Sequence, residues 1–174
     1  MPKYIENVRE KLIAAARDQA LHVGYAGVTI RSVAKACDLG VGTVYNYFKS
    51  KEELIHMFMY EDWLKSVEVI QACSEQTDSP EELLRCIYRE LYRFMEEHQC
   101  LLTDKNAAKV FAQAYAEGHL YMRNQLAGFI KGVCDRKAKE PSEFLPYFLA
   151  DSLLIWTASG KSFEEIYGVF KAHF

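Results

Sequence analysis

The side chains best suited to recognition chemistry stand close together. Gly42, Thr43, Tyr45, Asn46 and Tyr47 fall within the run VGTVYNYF, with Thr29 and Arg31 upstream and Lys51 just downstream. At about 100° per residue, Val44 and Phe48 share one face of a short helix, which leaves Gly42, Thr43 and Asn46 opposite and the two tyrosines flanking them. A face kept merely for solubility would carry Lys and Glu. This one suits a groove of duplex DNA: glycine lets the backbone approach, Asn46 can make paired hydrogen bonds to adenine, and Thr43 and the tyrosines can reach phosphate or a thymine methyl. Arg31 is placed for a guanine edge or a phosphate, and Lys51, at a helix start, for a phosphate. Singly, Tyr45 and Tyr47 fit packing between helices, and Lys51 a solvated surface, equally well. Their joint placement favours recognition.

Such a face needs elements to hold it. A first helix is expected over about 4–23, with Ile5, Val8, Leu12, Ala15, Ala16, Gln19 and Ala20 as its inner stripe, stopping at Gly24. Thr29 is the expected N-cap of a second helix over 30–37; Asp38-Leu39-Gly40 makes a turn, and a third helix covers 41–48. Ser50-Lys51-Glu52-Glu53, Ser79-Pro80-Glu81-Glu82 and Ser162-Phe163-Glu164-Glu165 are capping boxes, opening a fourth helix to about 73, a fifth to about 98 and a short last one. Two more fit about 104–116 and 118–138. Pro141 then forces a break before an apolar helix that ends at Gly160. No strand alternation or repeat interrupts this pattern. The fold class is all-α with about nine helices, a helix-turn-helix head over 1–50 and a helical body over 51–174.

Composition narrows the function. The five cysteines are scattered without a C-x-x-C pair, so neither a disulfide framework nor a zinc knuckle is expected, and they read as small core residues. No long apolar run and no secretory leader are seen, so the expected location is the cytoplasm. No zinc-protease, nucleophile-elbow or phosphate-loop motif is present, so no catalytic residue, metal or cofactor is assigned. The net charge of −3 conceals an asymmetry: residues 1–51 hold 8 Lys/Arg against 4 Asp/Glu, and the remainder 13 against 20. A basic head on an acidic body fits one end facing phosphates.

Residues 8–58 resemble the N-terminal domain of the TetR family of transcriptional regulators. The match rests on the helix ending ALHVGY, on VTIRSVA from Val28, on GTVYNYF from Gly42, and on KEEL from Lys51. The resemblance implies DNA contacts from Thr29, Arg31, Val41, Gly42, Thr43, Tyr45, Asn46, Tyr47 and Lys51. Two departures lie in the turn: Asp38 stands where the family commonly has glycine, and Gly40 where it commonly has a serine cap. From about residue 55 onward only the architecture is similar, and it implies a small-molecule effector pocket and a homodimer formed through the last two helices. Phe144, Leu145, Phe148, Leu149, Leu153, Ile155, Trp156, Phe163, Ile166, Tyr167 and Phe170 give those helices unusual apolar content. Candidate pocket residues are Trp63, Tyr88, Phe94, Met95, Phe111, Tyr115, Arg123, Phe129 and Asp151, although aromatic stripes are more commonly plain core. Asp151 can pair with a cationic ligand or with Arg123. His98 is read as a partner of its helix's C-terminal dipole. The expected whole is a ligand-responsive, operator-binding homodimer, usually a repressor in this family. The alternative is a protein-binding adaptor that keeps the fold without the DNA.

Overall fold

The computed structural model describes residues 7–140 and 142–174, without the side chains at 113 and 115. The expected helix start at Tyr4, the stripe residue Ile5 and the break at Pro141 lie outside these residues. Among the described residues the chain forms ten α-helices and no strand, in keeping with the all-α expectation. It divides into two compact units, one of Met1–Asp62 with Glu97–Ala112 and one of Trp63–Glu96 with Gln113–Phe174.

In the first unit α1 spans Val8–Gly27, α2 Ile30–Ala36 and α3 Val41–Tyr45. Regular α1 geometry is interrupted at Gly24, whose φ of 72° falls where glycine carries no Cβ penalty, so the chain turns at the expected residue. Val8, Leu12, Ile13, Ala16 and Ala20 are the buried α1 residues before that turn. Ile13 replaces Ala15 and Gln19, which are only half-buried, in the inner stripe. The short helices α6 (Gln99–Leu102) and α7 (Lys105–Val110) return to this unit, and α6 packs on α1. There the Cys100 thiol donates to the Ala20 carbonyl at 3.3 Å. Beneath them lies a charged network that sequence reading missed. Arg17 Nε donates to Asp62 Oδ2 at 3.0 Å, and the wholly buried His98 places Nε2 3.2 Å from the same oxygen while stacking on Phe58. His98 is therefore a long-range partner of Asp62 rather than mainly a helix-dipole residue.

The fourth helix, α4 (Lys51–Gln76), begins in the first unit and ends in the second. The second unit continues with α5 (Pro80–Glu97), α8 (Ala112–Lys137), α9 (Leu145–Ala158) and α10 (Phe163–Phe170), followed by a 3-10 turn at Lys171–His173. The boundary expected near Gly118 is absent, and α8 runs through it. Glycine inside a helix costs only about 1 kcal/mol relative to alanine, which a long helix absorbs. The chain breaks instead at Phe111, whose buried ring packs edge-on against Tyr25 with centroids 5.9 Å apart. Gly160, at φ 76°, closes α9, and the Lys161 N–H bonds back to the Trp156 carbonyl at 3.0 Å. Glu90 on α5 is buried and ionically held by Arg93 at 2.6 Å; Arg93 also donates to the buried Ser66 hydroxyl on α4 at 3.2 Å.

Candidate nucleic-acid interface and effector residues

The reading face is built from caps outward. Thr29 accepts the Ser32 N–H at 2.9 Å, and Ser32 Oγ in turn accepts the Thr29 N–H at 3.0 Å, so α2 opens on a closed capping box. Ser32 also donates to Gln19 at 2.6 Å, tying α2 to α1. In the turn Asp38 adopts φ 55°, the left-handed conformation that short polar side chains tolerate best after glycine. Gly40 caps α3 with extended backbone and no side-chain bond.

Regular α3 ends at Tyr45, three residues earlier than expected, but Phe48 N–H still reaches the Val44 carbonyl at 3.0 Å, so the helical turn persists loosely. Val44 and Phe48 are buried, as their spacing predicts. Val41, Gly42, Tyr45, Asn46 and Tyr47 are exposed, and Thr43 is half-exposed. The exposures of Tyr45 (55%) and Tyr47 (46%) decide against packing between helices. Arg31 is exposed as well, with no ion pair to another described residue. The exposed residues Val41, Gly42, Tyr45, Asn46 and Tyr47 carry no charge of their own.

Lys51 is more constrained than its sequence position indicates. Its Nζ donates to the Tyr25 carbonyl at 3.0 Å and lies 3.7 Å from the centroid of the Tyr25 ring. The Tyr25 hydroxyl donates to Glu52 at 2.7 Å. Partial burial opposes ionisation of Glu52, but the Tyr25 bond, backbone and Ser50 hydrogen bonds and the Lys51 charge outweigh it and hold the carboxyl below its ordinary range. The Ser50 hydroxyl accepts the Glu53 N–H at 3.3 Å, while Glu53 reaches back to the Lys49 N–H at 2.6 Å rather than to that of Ser50.

The model of the tetR family of bacterial regulatory proteins matches residues 12–57, which span α1 to the first turns of α4. The HTH-type transcriptional repressor KstR of Mycolicibacterium smegmatis is 25% identical over 164 residues, covering 91% of this chain and 80% of that protein. Over residues 12–57 this chain matches the tetR family. Solved structures share the fold over most of the chain. The fatty acid degradation regulator FadR of Bacillus halodurans aligns with a TM-score of 0.65 at 17% identity, over 97% of this chain and 95% of that one. Thermus thermophilus FadR, a repressor crystallised with lauroyl-CoA, aligns at 0.62 and 23%, over 91% and 88%.

The candidate effector residues fall into separate settings. In the second unit Trp63 and Phe94 are buried and meet edge-to-face at 5.9 Å, and Trp63 Nε1 donates to Gln125 at 2.6 Å. Gln125 continues to the Tyr121 hydroxyl at 3.2 Å; neither residue was anticipated from sequence. Met95 and Phe129 are half-buried. Asp151 stands between His119 Nε2 at 3.1 Å and Arg123 Nη1 at 3.8 Å, and Arg123 lies over the Tyr147 ring at 5.6 Å. The i,i+4 spacing of His119 and Arg123 on α8 is the signal that would have found the histidine. Tyr88 bonds the Lys161 carbonyl at 3.1 Å and packs on Phe163, so it seats α10. Phe111 lies in the first unit. Tyr115 is outside the described side chains.

Among the described residues no helix is long and apolar enough to cross a membrane, and no cluster of three or more His, Cys, Asp or Glu can hold a metal ion.

Proposed function

We propose that the chain is a repressor that binds a palindromic operator as a homodimer and leaves it when a small molecule binds the body. The observation that carries this reading is the exposed, polar, uncharged face of Gly42, Thr43, Tyr45, Asn46 and Tyr47, bordered by Arg31, inside the segment that matches the family. Residues 1–50 read DNA in this proposal, with Thr29 and Val41 at the margins of the face and Lys51 as phosphate anchor. Residues 51–174 hold the effector and the partner copy.

The dimer contact is assigned to α9 and α10. Of the apolar residues there, Leu145, Leu149, Leu153, Phe163, Ile166 and Phe170 are committed to the chain's own core. Phe144 (80% exposed), Phe148 (49%) and Ile155 (52%) remain outside, and helical spacing of about 100° per residue puts all three on one side of α9. A twofold partner on this face would set two heads to read half-sites about 34 Å apart. The effector is assigned to the second unit around Trp63, Phe94, Met95 and Phe129, with Arg123 and Asp151 as polar determinants. An effector works by favouring one head separation over another.

Fluorescence anisotropy against fragments selected from the source genome tests the proposal. Retention of fragments bearing inverted repeats, and their release by a metabolite, is the expected result. Absence of any retained fragment at low salt would favour an adaptor that has lost DNA.

A further inference from the structure

We propose that Arg31 and Lys35 form a two-pronged clamp on successive phosphates of one DNA strand, holding α2 against the sugar–phosphate backbone. The inference rests on the DNA-reading role proposed above and adds Lys35, a contact that neither the family resemblance nor the reading face assigns. Both residues are exposed on α2. At about 100° per residue they stand about 40° apart, one turn from each other, on the side opposite the buried Val33. Neither makes an ion pair with another described residue. The acid nearest in sequence, Asp38, lies beyond the end of the helix at φ 55° and does not pair with Lys35.

Like charges four positions apart on a helix repel each other, whereas opposite charges at that spacing attract. Other helices of this chain answer the spacing with an acid, as in Lys131–Asp135 at 3.0 Å and Lys161–Glu165 at 2.9 Å. Other cations of the head are committed within the protein: Arg17 to Asp62 and Glu61, Arg9 to Glu61 and the Phe48 ring, Lys51 to Tyr25. The two charges of α2 have no such answer, and a polyanion outside the chain supplies one. In a helix-turn-helix the first helix crosses the backbone of the duplex, where each phosphate met by a cation releases condensed counterions. The guanidinium fork of Arg31 can hold two oxygens of one phosphate, and the Lys35 ammonium serves the next as a point charge. Arg31, suited by sequence to either a guanine edge or a phosphate, is thereby assigned to phosphate.

The test is fluorescence anisotropy of the full-length protein with a labelled duplex of mixed sequence, measured between roughly 50 and 200 mM salt. Arg31→Gln and Lys35→Gln should each lower the slope of log K against log salt by about 0.9, and the double variant by about twice as much. Arg31→Lys should keep the wild-type slope. Because both side chains lie outside the core, the thermal midpoint should not move. Lys137→Gln, which removes the same charge from an exposed position at the end of α8, should leave the slope unchanged. A steep wild-type slope that neither Gln variant alters overturns the clamp and leaves DNA reading standing. So does an equal loss in Lys137→Gln, which would make the effect one of net charge. A loss in Arg31→Gln confined to genome-selected fragments and absent with the mixed duplex makes Arg31 a base reader and also overturns the clamp. A wild-type protein that binds no duplex at low salt removes the DNA-reading role, and the clamp with it.

Discussion

Lys51, proposed as a phosphate anchor, also holds a place in the structure. As a bare phosphate anchor it would swing freely, but here it is fixed to the carbonyl and ring of Tyr25. Lys51→Ala should therefore weaken operator binding and also lower the thermal midpoint by a few degrees, since a cation–π contact and a buried-side hydrogen bond contribute on the order of 1 kcal/mol each. Tyr47→Ala should weaken binding with the midpoint unchanged, because its ring is outside the core. A salt series separates the two: loss of a phosphate contact by Lys51 lowers the slope of log K against log salt by about one. Asn46→Ala, by contrast, should relax selectivity at one base position by roughly 1–3 kcal/mol of discrimination. Competition binding with single-base operator variants measures it; equal losses against every variant would remove Asn46 from direct base reading.

At the scale of elements, the turn and the caps make separate predictions. Asp38 pays a backbone cost at φ 55° that glycine escapes and alanine does not, so Asp38→Ala should destabilise the head by about 1 kcal/mol in a denaturant melt. The α10 cap predicts a pH response. Lys161, together with the Ser162 N–H and hydroxyl, lowers the Glu165 carboxyl from 4.5 to about 2. A folded value below the unfolded one means that this contribution is present in full above about 4.5 and is lost as pH falls toward 2. Glu165→Gln should remove the acid dependence of α10 unfolding in that window, as followed by amide exchange of residues 163–170. The caps, the Gly24 and Gly160 stops and the Val44/Phe48 inner face were all legible because each is a local pattern. The Arg17–Asp62–His98 network and the link from Arg93 on α5 to Ser66 on α4 were not, since these partners lie on different elements and nothing in the spacing of Arg17 and Asp62 announces a partner. Nor could spacing say that Tyr88 seats α10, or that α8 would pass through Gly118.

For the whole molecule, the proposed self-association is the property the apolar surface bears on. The apolar richness of the last helices was visible, but only burial separates the half that serves the core from Phe144, Phe148 and Ile155. Phe148→Glu with Ile155→Asp should convert a dimer to a monomer at micromolar concentration by sedimentation while leaving helicity intact, and operator affinity should fall with it. A stable dimer in that double variant would move the interface elsewhere. The charge division between residues 1–51 and the rest also predicts that operator affinity drops steeply, by about 10³-fold or more between roughly 50 and 200 mM salt if about six phosphates are neutralised.

The corner around Tyr25 finally bears on what kind of motion an effector can exploit. Its carbonyl is gripped by Lys51, its hydroxyl by Glu52, and its edge by Phe111, so the segment leading into the head is bolted at three points, two of them on the first turn of α4. A joint fixed in that way has no free axis about which the reading helices can swivel against that turn. In the proposed repressor, a shift at the start of α4 is therefore expected to carry the end of α1 with it. On that reading, release from DNA is expected to alter where the two proposed heads point rather than the shape of each candidate reading surface.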